Sequence, residues 1–308
     1  MTGLRSRTFK DKKVGVLMGG LSEEREISLK TGGAVLSCLV KSGYKAVGID
    51  AGRDLAGRIS GEGVEVAFVA LHGRYGEDGC VQGLLEVMEI PYTGSGVMAS
   101  AVAMDKAATK KVLSYHAVPT PAFRIVAPGG RVTGLKLPLI VKPVAQGSAI
   151  GVTVVRKRAG LDAAVNEACR YGPLAIVEEF IAGRELTVSI LDSTVLPVIE
   201  IRPRAGFYDY RAKYTKGETE FIVPARLKKR VEKRVRAFAI DSYEALGCRG
   251  AARVDMVLDG EENPYVLEVN TVPGLTETSL FPKAAASAGL SYRGLVKRML
   301  EGASTGKF

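Results

Sequence analysis

The densest chemistry in the sequence lies near its carboxyl end. In Arg253-Val254-Asp255 and Glu268-Val269-Asn270 the polar residues stand two apart, so each pair projects from one face of a strand. The flanking Ala251, Ala252, Met256, Val257, Val266 and Leu267 mark both strands as buried, where charged groups need partners. Asp255, Glu268 and Asn270 supply hard oxygen ligands of the kind Mg²⁺ takes. The plainer alternative, two half-exposed strands with polar outer faces, leaves the gathering of these oxygens unexplained. Asn270 then leads into Thr271-Val272-Pro273-Gly274, a turn that can present backbone N–H groups to a ligand.

A second candidate is Lys142 in Leu139-Ile140-Val141-Lys142-Pro143, followed by Gln146-Gly147-Ser148-Ala149-Ile150-Gly151. A lysine at a strand end beside a small-residue loop suits a phosphate cradle: backbone N–H groups approach closely and one positive charge reaches in. Small-residue hairpins are common, so the pattern alone does not name a ligand. No G-x-x-x-x-G-K-[ST] stretch occurs, which excludes a Walker-type loop.

Three further segments have two readings each. Gly94-Ser95-Gly96-Val97-Met98-Ala99 fits G-x-G-x-x-A and would suggest a dinucleotide oxidoreductase, but no acidic ribose partner ends a strand about 20 residues on. It reads better as a helix start. Gly19-Gly20-Leu21-Ser22-Glu23-Glu24 follows the first strand, where open α/β sheets bind ligands, and also reads as a helix start with Ser22 as N-cap. His72 ends the third strand at the same edge; a lone histidine is more often structural, and the shared edge raises its standing.

The elements that must position these residues divide the chain in two. Strands at 14–18, 44–50, 64–71 and 90–93 alternate with helices at 22–39, 78–88 and 97–115, the grammar of a parallel sheet covered on both faces. After a boundary near 116–121 come β-rich segments at 122–126, 137–141, 152–156, 175–180, 186–191 and 195–201, with little helix between them. Residues 203–224 read as a long functional loop. A basic helix at 226–247, strands at 251–258 and 265–269, and helices at 279–288 and 292–300 complete the chain.

Composition narrows the function classes. The chain has 308 residues, 46% hydrophobic and 25% charged, enough for roughly two domains of an ordinary soluble protein. No apolar run approaches the roughly 18 residues of a membrane span, and the basic start carries no secretory pattern. The four cysteines, Cys38, Cys80, Cys169 and Cys248, are scattered, which favours a reduced, cytoplasmic protein. With His72 and His116 the only histidines, a His-rich metal site is excluded. The net charge of +10 points either to nucleic acid or to a polyanionic small molecule. Lys228, Lys229, Arg230, Lys233, Arg234 and Arg236 read better as a solvated helix face than as a nucleic-acid patch.

Taken together, the segments resemble the D-alanine-D-alanine ligase family of the ATP-grasp superfamily. The resemblance rests on GGLSEEREISL, ALHGRYGEDG, PYTGSGVMASAVAMDK, LPLIVKP with QGSAIG, VEEFIAGRELTV, FYDYRAKY, GAARVDM and LEVNTVPGLTETSL, all in family order. It implies an α/β and α+β architecture: an ATP-grasp fold preceded by an open parallel-sheet, Rossmann-like domain. The implied divisions are 1–104, 105–184 and 185–308, with ATP between the sheets of the last two.

The resemblance also implies roles. Lys106 and Lys142 contact ATP phosphates; Glu178, Phe180 and Ile181 line the adenine pocket with Glu185 at the ribose. Asp255, Glu268 and Asn270 hold two Mg²⁺ ions, or Mn²⁺. Lys213 neutralises the transferring phosphoryl group, and Arg253 with the Gly274 N–H forms an oxyanion hole. Glu24 takes the first D-alanine's ammonium with His72 nearby, Ser148 and Tyr214 link to Glu24, and Ser279 and Leu280 receive the second D-alanine's carboxylate. The family further implies a homodimer, D-alanine and ATP as partners, and a role in peptidoglycan precursor synthesis.

Two departures stand out. Ala149 replaces a serine common in the family, so a side-chain phosphate contact is lost while the backbone cradle remains. The stretch between Arg124 and Leu137 is short and lacks a helix usual there. Within the superfamily the runners-up are D-alanine-D-lactate and D-alanine-D-serine ligases, with Tyr214 favouring an amine nucleophile. From a different class, a basic nucleic-acid-binding protein is the rival.

Overall fold

Val14, Val16 and Leu17 are fully buried in β1 (Lys13–Met18), which lies between β2 (Lys45–Asp50) and β3 (Val66–Val69) in a parallel sheet of order β2-β1-β3. The computed structural model describes residues 8–204, 215 and 217–307. Helix α1 (Arg25–Lys41) packs on this sheet so closely that a Cβ at Gly32 would stand 2.4 Å from Met18 Cβ. Its buried Ser28 and Thr31 are polar for a reason: the Ser28 hydroxyl donates to Ala70 O at 2.8 Å, and Thr31 Oγ1 lies 3.2 Å from His72 Nε2. Helices α2 (Leu55–Gly61) and α3 (Cys80–Val87) contribute Leu55, Ile59, Val81 and Leu85 to a core on the other face.

The expected α1 start is displaced. Ser22 does not cap the helix; its hydroxyl donates to His72 O at 2.6 Å and accepts from Glu24 N, and Glu24 takes the N-cap position without a side-chain cap. The expected strand at 90–93 is reduced to isolated bridges at Tyr92, parallel to Ala67 and antiparallel to Ser304. The expected helix 97–115 is two helices, α4 (Val97–Met104) and α5 (Lys106–Tyr115). Asp105 breaks it: its backbone is extended, and its carboxylate accepts from Ala108 N at 2.8 Å to start α5 afresh.

Beyond residue 120 the structure forms two antiparallel sheets. The first has order β4-β7-β5-β6, from β4 (Phe123–Val126), β5 (Leu139–Pro143), β6 (Thr153–Val155) and β7 (Ala175–Glu179). Helix α6 (Leu161–Ala168), absent from the expected β-rich stretch, packs Leu161, Ala164, Val165 and Ala168 on it. Residues 127–138 contain no helix, as the short stretch before Leu137 suggested.

The second sheet runs β11-β10-β8-β12-β13, with β9 (Thr194–Val195) on β8. It is built from β8 (Gly183–Leu191), β10 (Ile199–Pro203), β11 (Thr219–Ile222), β12 (Ala251–Asp259) and β13 (Pro264–Asn270). Part of the expected loop at 203–224 is therefore strand; residues 205–214 and 216 lie outside the described residues. Helix α7 (Lys229–Ala245) buries Val231, Val235, Ala239 and Tyr243 against this sheet. Its Lys229, Arg230, Lys233 and Arg234 face solvent, while Arg236 donates to Val195 O and Leu196 O.

One core joins the two ends of the chain. Phe281, Ala284 and Ala285 of α8 (Leu280–Ser287) and Leu295, Val296 and Leu300 of α9 (Tyr292–Glu301) pack with Val14, Val16, Val35, Leu39 and Phe68, and with Leu191 and Ile199. The amino-terminal sheet is thereby fixed against the six-stranded sheet.

Candidate active site

Three edges meet at one place: the carboxyl ends of β1 and β3, the start of α5 with the loop after β5, and the face of β12 and β13 that carries the carboxylates. The left-handed Gly19 and Gly20 turn the chain out of β1, and Arg25 secures the turn by a bidentate pair with Asp50, at 2.6 and 2.5 Å.

Glu24 sits where the first two edges touch. The Ser148 hydroxyl donates to Glu24 Oε1 at 2.5 Å, across 124 residues of sequence. Glu24 Oε2 is buried without a hydrogen-bond partner among the described residues. Two glycines make room for it: a Cβ at Gly147 would stand 2.7 Å from this oxygen, and one at Gly73 3.0 Å. The loop is also strained, since Ser148 (φ 52°) and Ala149 (φ 58°) are both left-handed non-glycine residues.

His72 is buried beside Thr31, and burial together with the nearby Arg253 guanidinium pushes its pKa down to about 4. It is neutral at physiological pH. Glu77, which no pattern in the sequence singled out, lies in the same wall. Gly73 N donates to Glu77 Oε1 at 2.8 Å, and burial, with the Glu24 carboxylate next in weight, pushes its pKa up to about 8. Lys106 and Arg253 oppose that rise.

On the six-stranded sheet, Asp255 and Glu268 are cross-strand neighbours and Arg253 is registered with Asn270. Two carboxylates side by side need cations. Arg253 donates to both oxygens of Asp255 at 2.9 and 2.7 Å, and Thr187 Oγ1 donates to Asp255 Oδ1 at 2.6 Å. Lys106 Nζ lies 3.2 Å from Glu268 Oε2 and donates to Gln146 O at 2.7 Å, joining the carboxylates to the small-residue loop. Asn270 Oδ1 accepts from Val272 N at 3.0 Å, which orders the turn toward Gly274.

Lys142 pairs with Glu178, whose second oxygen lies 2.7 Å from Lys110 Nζ. The Glu178 carboxylate is thus committed to two lysines, while Phe180 and Ile181 are half-buried at the end of β7 and Glu185 lies on β8. Gly274 faces the Ser279 hydroxyl, which accepts from Thr276 N at 3.1 Å, and Leu280 opens α8. Lys213 and Tyr214 lie outside the described residues.

The donor set fits a divalent cation of the Mg²⁺ type in one specific way. No group of three or more His, Cys, Asp or Glu that could by itself hold a metal ion occurs among the described residues. Two carboxylates and one amide oxygen make the kind of incomplete shell that a substrate phosphate completes. Burial of like charges at 18% and 27% side-chain exposure gives the pair a standing need for positive charge.

Comparison with known proteins decides the family. Residues 50–95 match the D-ala D-ala ligase N-terminus family model and residues 128–301 the D-ala D-ala ligase C-terminus model. The chain belongs to the D-alanine-D-alanine ligase family. It is 52% identical to a D-alanine--D-alanine ligase of Syntrophotalea carbinolica over 99% of this chain and 100% of that one. A ligase of the same name from Pelotomaculum thermopropionicum is 50% identical, covering 94% and 96%. Among solved structures, the Bacillus anthracis D-alanine--D-alanine ligase complexed with ATP superimposes with a TM-score of 0.84, at 35% identity over 94% of this chain and 97% of that one. The mixed α/β architecture is the one these ligases share.

Proposed function

We propose that this chain joins two D-alanines to D-alanyl-D-alanine with ATP as co-substrate, releasing ADP and phosphate for cell-wall precursor synthesis. The observation that carries this reading is the Ser148 to Glu24 hydrogen bond, which ties a phosphate-type loop to a carboxylate shaped to receive an ammonium. A nucleotide and an amino acid then share one site.

In this reading Glu24 holds the first D-alanine through its ammonium, Oε2 being the acceptor open to it. The substrate carboxylate is a poor electrophile, and phosphorylation gives it a leaving group. Lys106 and Lys142 carry the phosphates. Asp255, Glu268 and Asn270 would hold Mg²⁺, which when bound supplies charge neutralisation at the transferring phosphoryl group. Arg253 and the Gly274 N–H stabilise the oxyanion formed when the second D-alanine's amine attacks, and Ser279 with Leu280 orients that substrate's carboxylate. Glu178, Phe180, Ile181 and Glu185 are assigned to the nucleoside end, and Lys213 and Tyr214 to the loop above the site. His72, neutral, packs the floor.

Arg253 and Lys106 each have two duties. Both pair with the carboxylates, Arg253 with Asp255 and Lys106 with Glu268, and both are assigned to substrate as well. We assign residues 1–104, 105–184 and 185–308 to the three domains of the ligase, and a homodimer and cytoplasmic location as the family expectation. Among the described residues no helix is long and apolar enough to cross a membrane.

Phosphate release with ATP, Mg²⁺ and D-alanine tests the reading, with D-lactate and D-serine offered as second substrates. D-alanine alone is expected to support turnover at both positions. No release with D-alanine overturns the proposal, and preference for D-lactate or D-serine moves it to the neighbouring activity.

A further inference from the structure

Of the three lysines of helix α5, Lys106 and Lys110 stand one turn apart, and only Lys106 has a role so far. Lys110 has no side-chain exposure. Its ammonium donates to Thr120 Oγ1 at 2.5 Å, lies 2.7 Å from Glu178 Oε2, and sits 5.6 Å from the centre of the Phe123 ring. Burial pulls its pKa down to about 8 against the opposing pull of Glu178. Fully burying a lysine is costly, and an apolar residue of similar length would fill the same space.

What Lys110 touches suggests why a cation is there. Glu178, 1% exposed, holds Lys110 on one oxygen and Lys142 on the other, and the burial of its charge is offset by these two lysines. Ile140 is registered with Glu178, so Lys142, two residues along β5, projects from the same face of the sheet. Three charged groups from α5, β5 and β7 therefore form one buried chain, with two positive charges and one negative. The excess charge is accessible only at the Lys142 end, where the side chain is 10% exposed against none for Lys110.

We propose that Lys110 is a positioning residue for nucleotide binding: acting through Glu178, it fixes Lys142 and leaves that ammonium with uncompensated charge for a nucleotide phosphate. This rests on the assignment of Lys142 to the ATP phosphates. Without Lys110, Glu178 has Lys142 as its sole close ion-pair partner in this chain of charges. The pair becomes neutral and draws the ammonium inward, so the phosphate meets a weaker field. A sealed lysine thus sets the strength of an accessible one. It touches neither substrate, so the D-alanine sites are left alone.

The test compares Lys110→Met, Thr120→Val and Lys142→Met in the full chain, measuring kcat, KM for ATP, KM for D-alanine and melting temperature. Lys110→Met is expected to raise KM for ATP roughly ten-fold or more, the scale of one charge-assisted contact, and to leave KM for D-alanine unchanged. Thr120→Val, which removes only a hydrogen bond to Lys110, moves KM for ATP in the same direction by less. A lowered melting temperature with unchanged KM for ATP in Lys110→Met overturns the proposal and makes the lysine structural. If Lys110→Met fails to fold, Thr120→Val carries the same two outcomes. Lys142→Met separates the two assignments: if it leaves KM for ATP unchanged, the nucleotide assignment and the proposal fall together. If it raises KM for ATP while Lys110→Met does not, the proposal alone falls.

Discussion

Glu24 shows how much a single side chain is asked to do. One oxygen is taken by Ser148 and the other is buried and open, so the carboxylate is oriented before any substrate arrives. Ser148→Ala removes the orienting contact while keeping the loop's size. KM for D-alanine is expected to rise about ten-fold, with a smaller change in KM for ATP, in steady-state phosphate release. The neighbouring titrations give a pH signature. Glu77 binds its proton more tightly folded than unfolded, so its contribution to stability is present below pH 4.5 and is lost as pH rises toward 8. His72 runs the other way: its contribution is present above pH 6.5 and is lost as pH falls toward 4. Glu77→Gln keeps an acceptor for Gly73 N, and its stabilisation relative to the parent is expected to grow between pH 5 and 8 to on the order of 3 kcal/mol. Denaturant melts at the two pH values check it; a pH-independent difference contradicts the Glu77 assignment. The places of His72, Arg253, Asp255, Glu268 and Asn270 were readable because strand ends and two-residue spacing are visible in a sequence, and Glu24 was singled out through the family resemblance. Glu77 and Lys110 were not. Their roles come from complete burial beside charges distant in sequence, and nothing local marks a carboxylate or an ammonium for the interior.

Among the elements, the break between α4 and α5 is the most consequential. Apolar periodicity runs through it, which is why the sequence reads as one helix, yet the restart at Asp105 brings Lys106 to the first turn of α5 and aims its ammonium at both Glu268 and Gln146. Asp105→Ala removes the cap on Ala108 N. A loss of about 1 kcal/mol in unfolding free energy is expected, together with a raised KM for ATP, because Lys106 loses its fixed starting point. A stability loss with KM for ATP unchanged would mean that the cap serves the fold alone. Helix α6 was missed for a related reason. Its eight residues lie between turns in a stretch dominated by strands, too short for periodicity to stand out. Strand β11 was hidden in a polar segment because its burial is only partial. By contrast β1 and β3 announce themselves by being buried on both faces or nearly so, and β12 and β13 by charged residues set two apart among apolar ones.

For the whole molecule, the site exists only where three sheets meet, and its carboxylates are held by cations from other parts of the chain. Removal of divalent metal with a chelator is expected to abolish phosphate release and restoration with Mg²⁺ to recover it, with far-ultraviolet circular dichroism unchanged throughout. The second half of that expectation follows from Arg253 and Lys106, which satisfy Asp255 and Glu268 without metal. Loss of secondary structure on chelation would contradict it. The passage from a parallel sheet to antiparallel β structure was legible from the change of grammar near residue 120, while its division into two sheets came only from the family resemblance; the +10 charge told little, being mostly exposed lysine and arginine such as those of α7. What no reading of local pattern supplies is which sheet the last two helices cover.

That last feature bears on the order in which the protein is made. Val14, Val16 and Phe68 precede Phe281, Leu295 and Leu300, which close over them, by some two hundred residues and are translated well before them. At a ribosomal rate of about 5 to 20 residues per second, the amino-terminal sheet waits on the order of ten seconds or more with one apolar face covered by α1 alone. The nascent chain therefore carries an incompletely covered apolar face until α8 and α9 emerge, and its folding depends on what shields that face in the meantime.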